Sequence, residues 1–107
     1  MRKLARVAAV QLEVGPDAAD NLARASALVA RAATAEGCDL ICLPECFVGL
    51  YGVAHFARWA EPLAGAPLRG GAAMMSAAAL THGVCVFFSR FRRAFFVFAR
   101  CCFFLPA

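Results

Sequence analysis

The sequence predicts an α/β fold whose elements follow in the order strand, helix, strand, helix, strand. Three observations predict this order. Short apolar runs suit buried strands, and the segment between the first two runs repeats its apolar residues with the 3.6-residue period of a helix. Glycines mark the ends of both helices. A strand, a crossover helix and a second strand at this spacing form neighbouring strands of one sheet. The 107 residues leave room for one small domain.

The first strand and the first helix are predicted at the start of the chain. Residues 6–13 are apolar enough for a central strand, and residues 15–17 are a Gly-Pro-Asp turn whose aspartate can cap a helix. The helix is predicted over residues 18–36, with Gly37 as its stop. One helical face carries the residues expected in the core: Leu22, Ala25, Ser26, Val29, Ala32 and Ala33.

The remaining elements follow a loop-rich middle section. Residues 39–43 form the second predicted strand. Residues 48–71 are rich in glycine and predict a loop, with a short helical turn at residues 55–59. A second helix is predicted over residues 71–81, and a third strand starts at residues 84–86.

The end of the chain differs in composition from the rest. Residues 87–107 hold eight of the ten phenylalanines and four of the ten arginines, and no helical or strand period predicts a regular element there. We therefore expect a domain over residues 1–86, followed by a tail over residues 87–107. A translated intron or a frameshift in the gene would produce such an end, and this is our hypothesis for the tail.

Charge is divided unevenly along the chain and limits the partners that it predicts. Residues 1–61 carry six basic and seven acidic side chains, whereas residues 62–107 carry five arginines and no acidic residue. The net charge of +4 therefore does not predict nucleic-acid binding by the whole chain. The arginines and phenylalanines of the tail share no amphipathic face, and no apolar run approaches the ~18 residues of a membrane span. We expect neither a nucleic acid nor a membrane as partner.

Six cysteines lie at positions 38, 42, 46, 85, 101 and 102. No secretory signal precedes them, so we expect reduced thiols and a cytoplasmic protein. Cys38, Cys42 and Cys46 recur every four residues, but the stretch between them is predicted as a strand, and no CxxC or histidine pair accompanies them. We therefore expect no metal site.

The most informative segment is residues 40–47, Leu-Ile-Cys-Leu-Pro-Glu-Cys-Phe. Pro44 cannot donate to a sheet, so strand pairing should stop there. Glu45 should then lie just past the C-terminal end of a strand, where open α/β sheets usually place their chemistry. A carboxylate held there against apolar neighbours can serve as a general base. The alternative is an ordinary exposed loop glutamate.

The order and spacing of these motifs resemble the N-terminal part of nitrilase-superfamily carbon–nitrogen hydrolases, in particular their omega-amidase-like branch. The resemblance covers about four-fifths of the chain, and its most specific string is Leu-Pro-Glu-Cys-Phe. Six segments carry it: residues 7–12, 20–21, 37–47, 50–52, 59–63 and 65–67.

The resemblance implies a truncated form of the family fold, the opening βαβαβ portion of an α-β-β-α sandwich. It also implies a mechanism in which a cysteine attacks an amide carbon, a glutamate moves the proton and a lysine stabilises the tetrahedral intermediate. Glu45 matches the base, and Tyr51 lies where relatives bring a loop to the substrate. The lysine has no match, since the only lysine, Lys3, precedes the first strand. The nucleophile has no match either, since the cysteine of the family follows that lysine in the sequence.

Two functions stay open at this point. The resemblance implies hydrolysis of small dicarboxylic monoamides without a cofactor, by a complete protein that generally forms homodimers. A chain with Glu45 alone is then expected to be inactive by itself, because the catalytic groups act as a unit. The alternative is a non-catalytic interaction module, or a partner of a full-length relative.

Overall fold

A computed structural model describes residues 4–60, 68–90, 93–97 and 102–104. These residues form three helices and five strands in an α/β arrangement, as the sequence predicts. The elements are β1 (Val7–Ala9), α1 (Ala18–Thr34), β2 (Leu40–Leu43), α2 (Val53–Trp59), α3 (Gly70–His82), β3 (Cys85–Arg90), β4 (Arg93–Val97) and β5 (Cys102–Phe104).

One sheet contains all five strands, in the spatial order β1-β2-β3-β4-β5. Strands β1, β2 and β3 are parallel, with Val7 opposite Leu40 and Leu40 opposite Cys85. Strands β4 and β5 extend the sheet by antiparallel pairing. The βαβαβ order predicted from the sequence is confirmed, because helices α1 and α3 make the two crossovers between parallel strands.

Helix α1 is defined by its cap and by one buried stripe. The Asp17 side chain accepts a hydrogen bond from the Asp20 amide at 3.2 Å, which satisfies one of the free N–H groups of the first turn. The buried positions are Asn21, Ala25, Val29 and Ala32, at the spacing of one helical face. The helix ends at Thr34, two residues before the predicted end at residue 36.

The core lies between the sheet and helices α1 and α3. Ile41, Val86 and Met75 are fully buried, so both central strands and α3 contribute to one apolar cluster with α1. Gly83 ends α3 in the left-handed conformation, with φ of 65°, as the sequence predicts for a helix stop. No helix of the described residues is long and apolar enough to cross a bilayer.

Two predictions about local structure need correction. The turn expected at residues 55–59 is part of a longer helix, α2, in which no residue is buried. The absence of regular structure expected after residue 86 is wrong, because β3 runs on to Arg90 and is followed by β4 and β5. Aromatic residues favour strands, and a strand can be a continuous apolar run in which polar and apolar residues do not alternate. A search for periodic patterns therefore does not find such strands.

Candidate active site

The loop after β2 carries the candidate base. Pairing of β2 stops at Leu43, immediately before Pro44, and Glu45 is the second residue beyond the strand. Glu45 therefore lies at the C-terminal edge of the parallel strands, where the sequence predicts it. Its side chain is exposed, so the described residues do not form the apolar surroundings expected around it.

A cavity of about 510 Å³ lies beside this loop and brings the two predicted site residues together. Its lining includes Glu45, Tyr51, Phe56, Trp59, Gly71 and Phe88. The Tyr51 ring meets the Phe56 ring edge to face, with 5.5 Å between centroids, although 73% of Tyr51 is exposed. The cavity thus combines one carboxylate with an aromatic wall, which is a common composition for a small-molecule site.

Phe47 anchors the loop into the core two residues after Glu45. Its side chain is buried, and its ring meets that of Phe88 on β3 edge to face, with 6.0 Å between centroids. The start of α3 approaches just as closely, because a Cβ at Gly71 would lie 2.7 Å from Val48 Cγ2 and 3.0 Å from Phe47 Cζ. A glycine at this position lets helix α3 support the loop directly.

Asn21 on α1 fixes the same loop through hydrogen bonds. Its Nδ2 donates to the carbonyl oxygens of Gly15 at 2.8 Å and Val48 at 3.0 Å. Its Oδ1 accepts from the Gly15 amide at 2.9 Å and from Arg24 Nη2 at 3.0 Å. The sequence prediction includes Asn21 in the segment that opens the helix but gives it no role in the site; the available signal was its alignment with Ala25 and Val29 on the buried helical face.

Helix α2 packs on the other side of the loop through its last residue. A Cβ at Gly49 would overlap the indole ring of Trp59, so the ring lies directly against the Gly49 backbone. Among the described residues, no group accepts a hydrogen bond from the buried Trp59 Nε1. The Arg58 guanidinium lies 4.9 Å from the centre of the same ring.

The cysteines are distributed over several elements. Cys38, Cys42 and Cys85 are free thiols, and burial raises the pKa of the Cys85 thiol. Cys46 lines the cavity next to Glu45. In the part of the chain that the structure describes, no three histidine, cysteine, aspartate or glutamate side chains are grouped as metal ligands would be. Lys3 lies outside the described residues.

The family of the chain follows from comparison with known proteins. The family model described as carbon–nitrogen hydrolase matches residues 6–94. This match covers most of the sequence, so the chain belongs to the carbon–nitrogen hydrolase family. It also extends eight residues beyond the domain end expected at residue 86.

The relatives with similar sequences are omega-amidases. The chain is 47% identical to "Omega-amidase NIT2" of Danio rerio and 43% identical to that of Mus musculus, in each case over 60 residues. Those residues are 56% of this chain and 21% of each relative. The chain therefore spans about a fifth of the length of the curated relatives that it matches.

A solved structure supports the fold. The structure of XC1258 from Xanthomonas campestris, described as a CN-hydrolase superfamily protein with an arsenic adduct in the active site, matches with a TM-score of 0.69. The match covers 89% of this chain and 37% of that chain, at 23% sequence identity. At this level of identity the match shows the fold alone.

Proposed function

We propose that this chain supplies the base-bearing part of an omega-amidase-like active site, with Glu45 as the general base. One observation carries the proposal: Glu45 follows a parallel strand at its C-terminal edge and lines a cavity of about 510 Å³. The relatives are named omega-amidases. From the resemblance to the omega-amidase-like branch, the proposed substrates are small dicarboxylic monoamides. Tyr51 lines the same cavity and is proposed to contact the substrate.

The carboxylate of Glu45 would serve both halves of the reaction. It first takes the proton of a cysteine thiol, whose sulfur attacks the amide carbon to give a tetrahedral intermediate. It then gives that proton to the leaving nitrogen, so that ammonia departs and a thioester remains. Finally it takes a proton from water, which attacks the thioester and releases the acid and the thiol.

The remaining catalytic groups are not supplied by this chain. Lys3 precedes β1, so it does not match the family lysine, which follows the glutamate. Cys46 follows Glu45 in the turn after β2, ahead of any position that could match the family nucleophile, which comes after that lysine in the sequence. We therefore propose that this chain alone does not catalyse the reaction. The complete protein is proposed to act without a cofactor, as a cytoplasmic homodimer.

A chimera tests this function directly. Residues 6–94 of this chain, the range that the family model matches, replace the part of the Danio rerio omega-amidase that corresponds to the same part of that family model. The base then comes from this chain and the other groups come from the relative. We expect the folded chimera to release ammonia from succinamate, and the 107-residue chain to release none. A folded dimeric chimera without turnover, beside an active relative, would contradict the proposal.

A further inference from the structure

We propose that Asn21 is a positioning residue for Glu45, an inference that rests on the proposed role of Glu45 as the base. Asn21 acts through the backbone of the loop and does not touch the substrate. Its Nδ2 donates to the carbonyl oxygen of Val48, three residues after Glu45. The same amide binds both backbone groups of Gly15, in the turn before α1. One side chain therefore joins the turn, the helix and the loop.

The hydrogen bonds of Asn21 leave its amide no alternative orientation. A primary amide offers two N–H groups and two acceptor lone pairs, and the four hydrogen bonds of Asn21 use all of them. Asn21 is 0% exposed, and among the described residues no other polar or charged residue is buried. Rotation of the amide would leave buried groups unsatisfied, so the geometry is held by every partner at once.

The loop around Glu45 is short and fixed at both ends. Leu43 belongs to the sheet at one end, and the Val48 carbonyl is bound by Asn21 at the other. Only four residues lie between these two points, and Phe47 among them is anchored in the core. A segment this short has few conformations that satisfy both ends, so the position of Val48 determines where Glu45 lies.

Loss of this link should therefore lower the rate more than it lowers substrate binding. The substitution Asn21→Asp keeps the size of the side chain and its acceptor oxygens, but it removes both N–H donors. In the chimera we expect kcat to fall roughly 10- to 100-fold, because a base displaced by about 1 Å loses rate on that scale. The KM should stay within about threefold, because Asn21 does not line the cavity and the substitution replaces no lining residue.

Val29→Ala is the control for a loss of stability. Val29 is fully buried on the same face of α1, two turns after Asn21. Its apolar side chain takes no part in the hydrogen bonds that hold the loop. Its truncation should lower the melting temperature of the chimera without changing kcat at a temperature where the protein is folded. Equal loss of kcat in both variants would show that Asn21 acts only through stability and would overturn the proposal.

The outcome for Glu45 separates this inference from the proposed function. If Glu45→Gln abolishes turnover while Asn21→Asp keeps kcat within about threefold of the parent, the positioning role is wrong and the base assignment stands. If Glu45→Gln keeps its turnover, the proposed function fails, and the role of Asn21 fails with it.

A measurement on the unsubstituted 107-residue chain covers the case in which Asn21→Asp does not fold. In NMR spectra, the two side-chain amide protons of Asn21 should exchange with solvent far more slowly than those of an exposed asparagine, such as one in a reference peptide. A scalar coupling between Asn21 Nδ2 and the Val48 carbonyl carbon should also be detected. Rapid exchange with no such coupling would overturn the proposal without any variant.

Discussion

Gly49 lies where helix α2 meets the loop that carries Glu45, and its substitution should release the helix. A Cβ at this position would overlap the indole ring of Trp59. Forcing an extra carbon into a packed contact typically costs about 1–3 kcal/mol. Moving the partly buried indole out into solvent costs less than the ~3 kcal/mol of a fully buried aromatic side chain. These two costs are similar, but a Cβ at Gly49 would come closer to the indole atoms than real Cβ atoms do, so the ring should leave its place in Gly49→Ala.

The loss should be local, because α2 has no buried residue and the core cluster consists of residues from α1, α3 and the sheet with its adjoining loops. Trp59 is the single tryptophan of the sequence, so tryptophan fluorescence reports the surroundings of this ring. We expect emission at longer wavelength and stronger quenching by acrylamide in Gly49→Ala. The free energy of unfolding, measured by urea titration with circular dichroism, should change by less than about 1 kcal/mol.

Gly83→Ala is the matched control, since it makes the same substitution at the C-terminal end of α3, where a Cβ would not meet Trp59. A Cβ there meets nothing within 4 Å, but φ is +65°, a conformation that costs an alanine about 1–2 kcal/mol. We expect a lower urea midpoint with unchanged tryptophan emission. Unchanged emission in Gly49→Ala, or an equal red shift in both variants, would refute the contact between Trp59 and Gly49.

Three further predictions concern the core, the helix cap and a buried thiol. Met75→Ala should lower the free energy of unfolding by about 2–5 kcal/mol, and the partly buried Met74→Ala by clearly less; equal losses in urea titrations would contradict the packing of α3. Asp17→Ala removes the hydrogen bond to the Asp20 amide and should lower the free energy of unfolding by about 1 kcal/mol in the same assay. No change would show that this cap does not stabilise the helix. Burial raises the pKa of the Cys85 thiol, so a smaller fraction is thiolate at a given pH. Its alkylation, followed by mass spectrometry over a pH series, should rise at higher pH than that of a cysteine peptide; coincident curves would contradict this.

The sequence was sufficient to predict the elements that have a clear pattern. Helix α1 has an apolar face and a capping aspartate, and β2 ends where a proline makes pairing impossible. These local rules also place Glu45 at the end of a parallel strand. They act over a few residues, and so they can be recognised without knowledge of the tertiary contacts.

The features that were missed depend on contacts between distant parts of the chain. Asn21 is polar and gains its role only when Val48 comes within hydrogen-bond distance, 27 residues away in sequence. Strands β4 and β5 consist of sequence without alternation, and they are defined by the pairing of β4 with β3 and of β5 with β4. The exposure of Glu45 depends likewise on which elements surround the loop, and this cannot be deduced from the apolar strand before it.

The most direct test of the account is the value of kcat/KM for Glu45→Gln in the chimera, measured beside Glu36→Gln. Glu36 is also exposed, but it lies beyond the C-terminal end of α1, where its carboxylate is 4.0 Å from the Arg31 guanidinium. If Glu45 is the general base, its substitution should lower kcat/KM by at least about 100-fold, and Glu36→Gln should leave it unchanged. Activity in Glu45→Gln within a few-fold of the parent would show that Glu45 is an ordinary loop glutamate and would contradict the account.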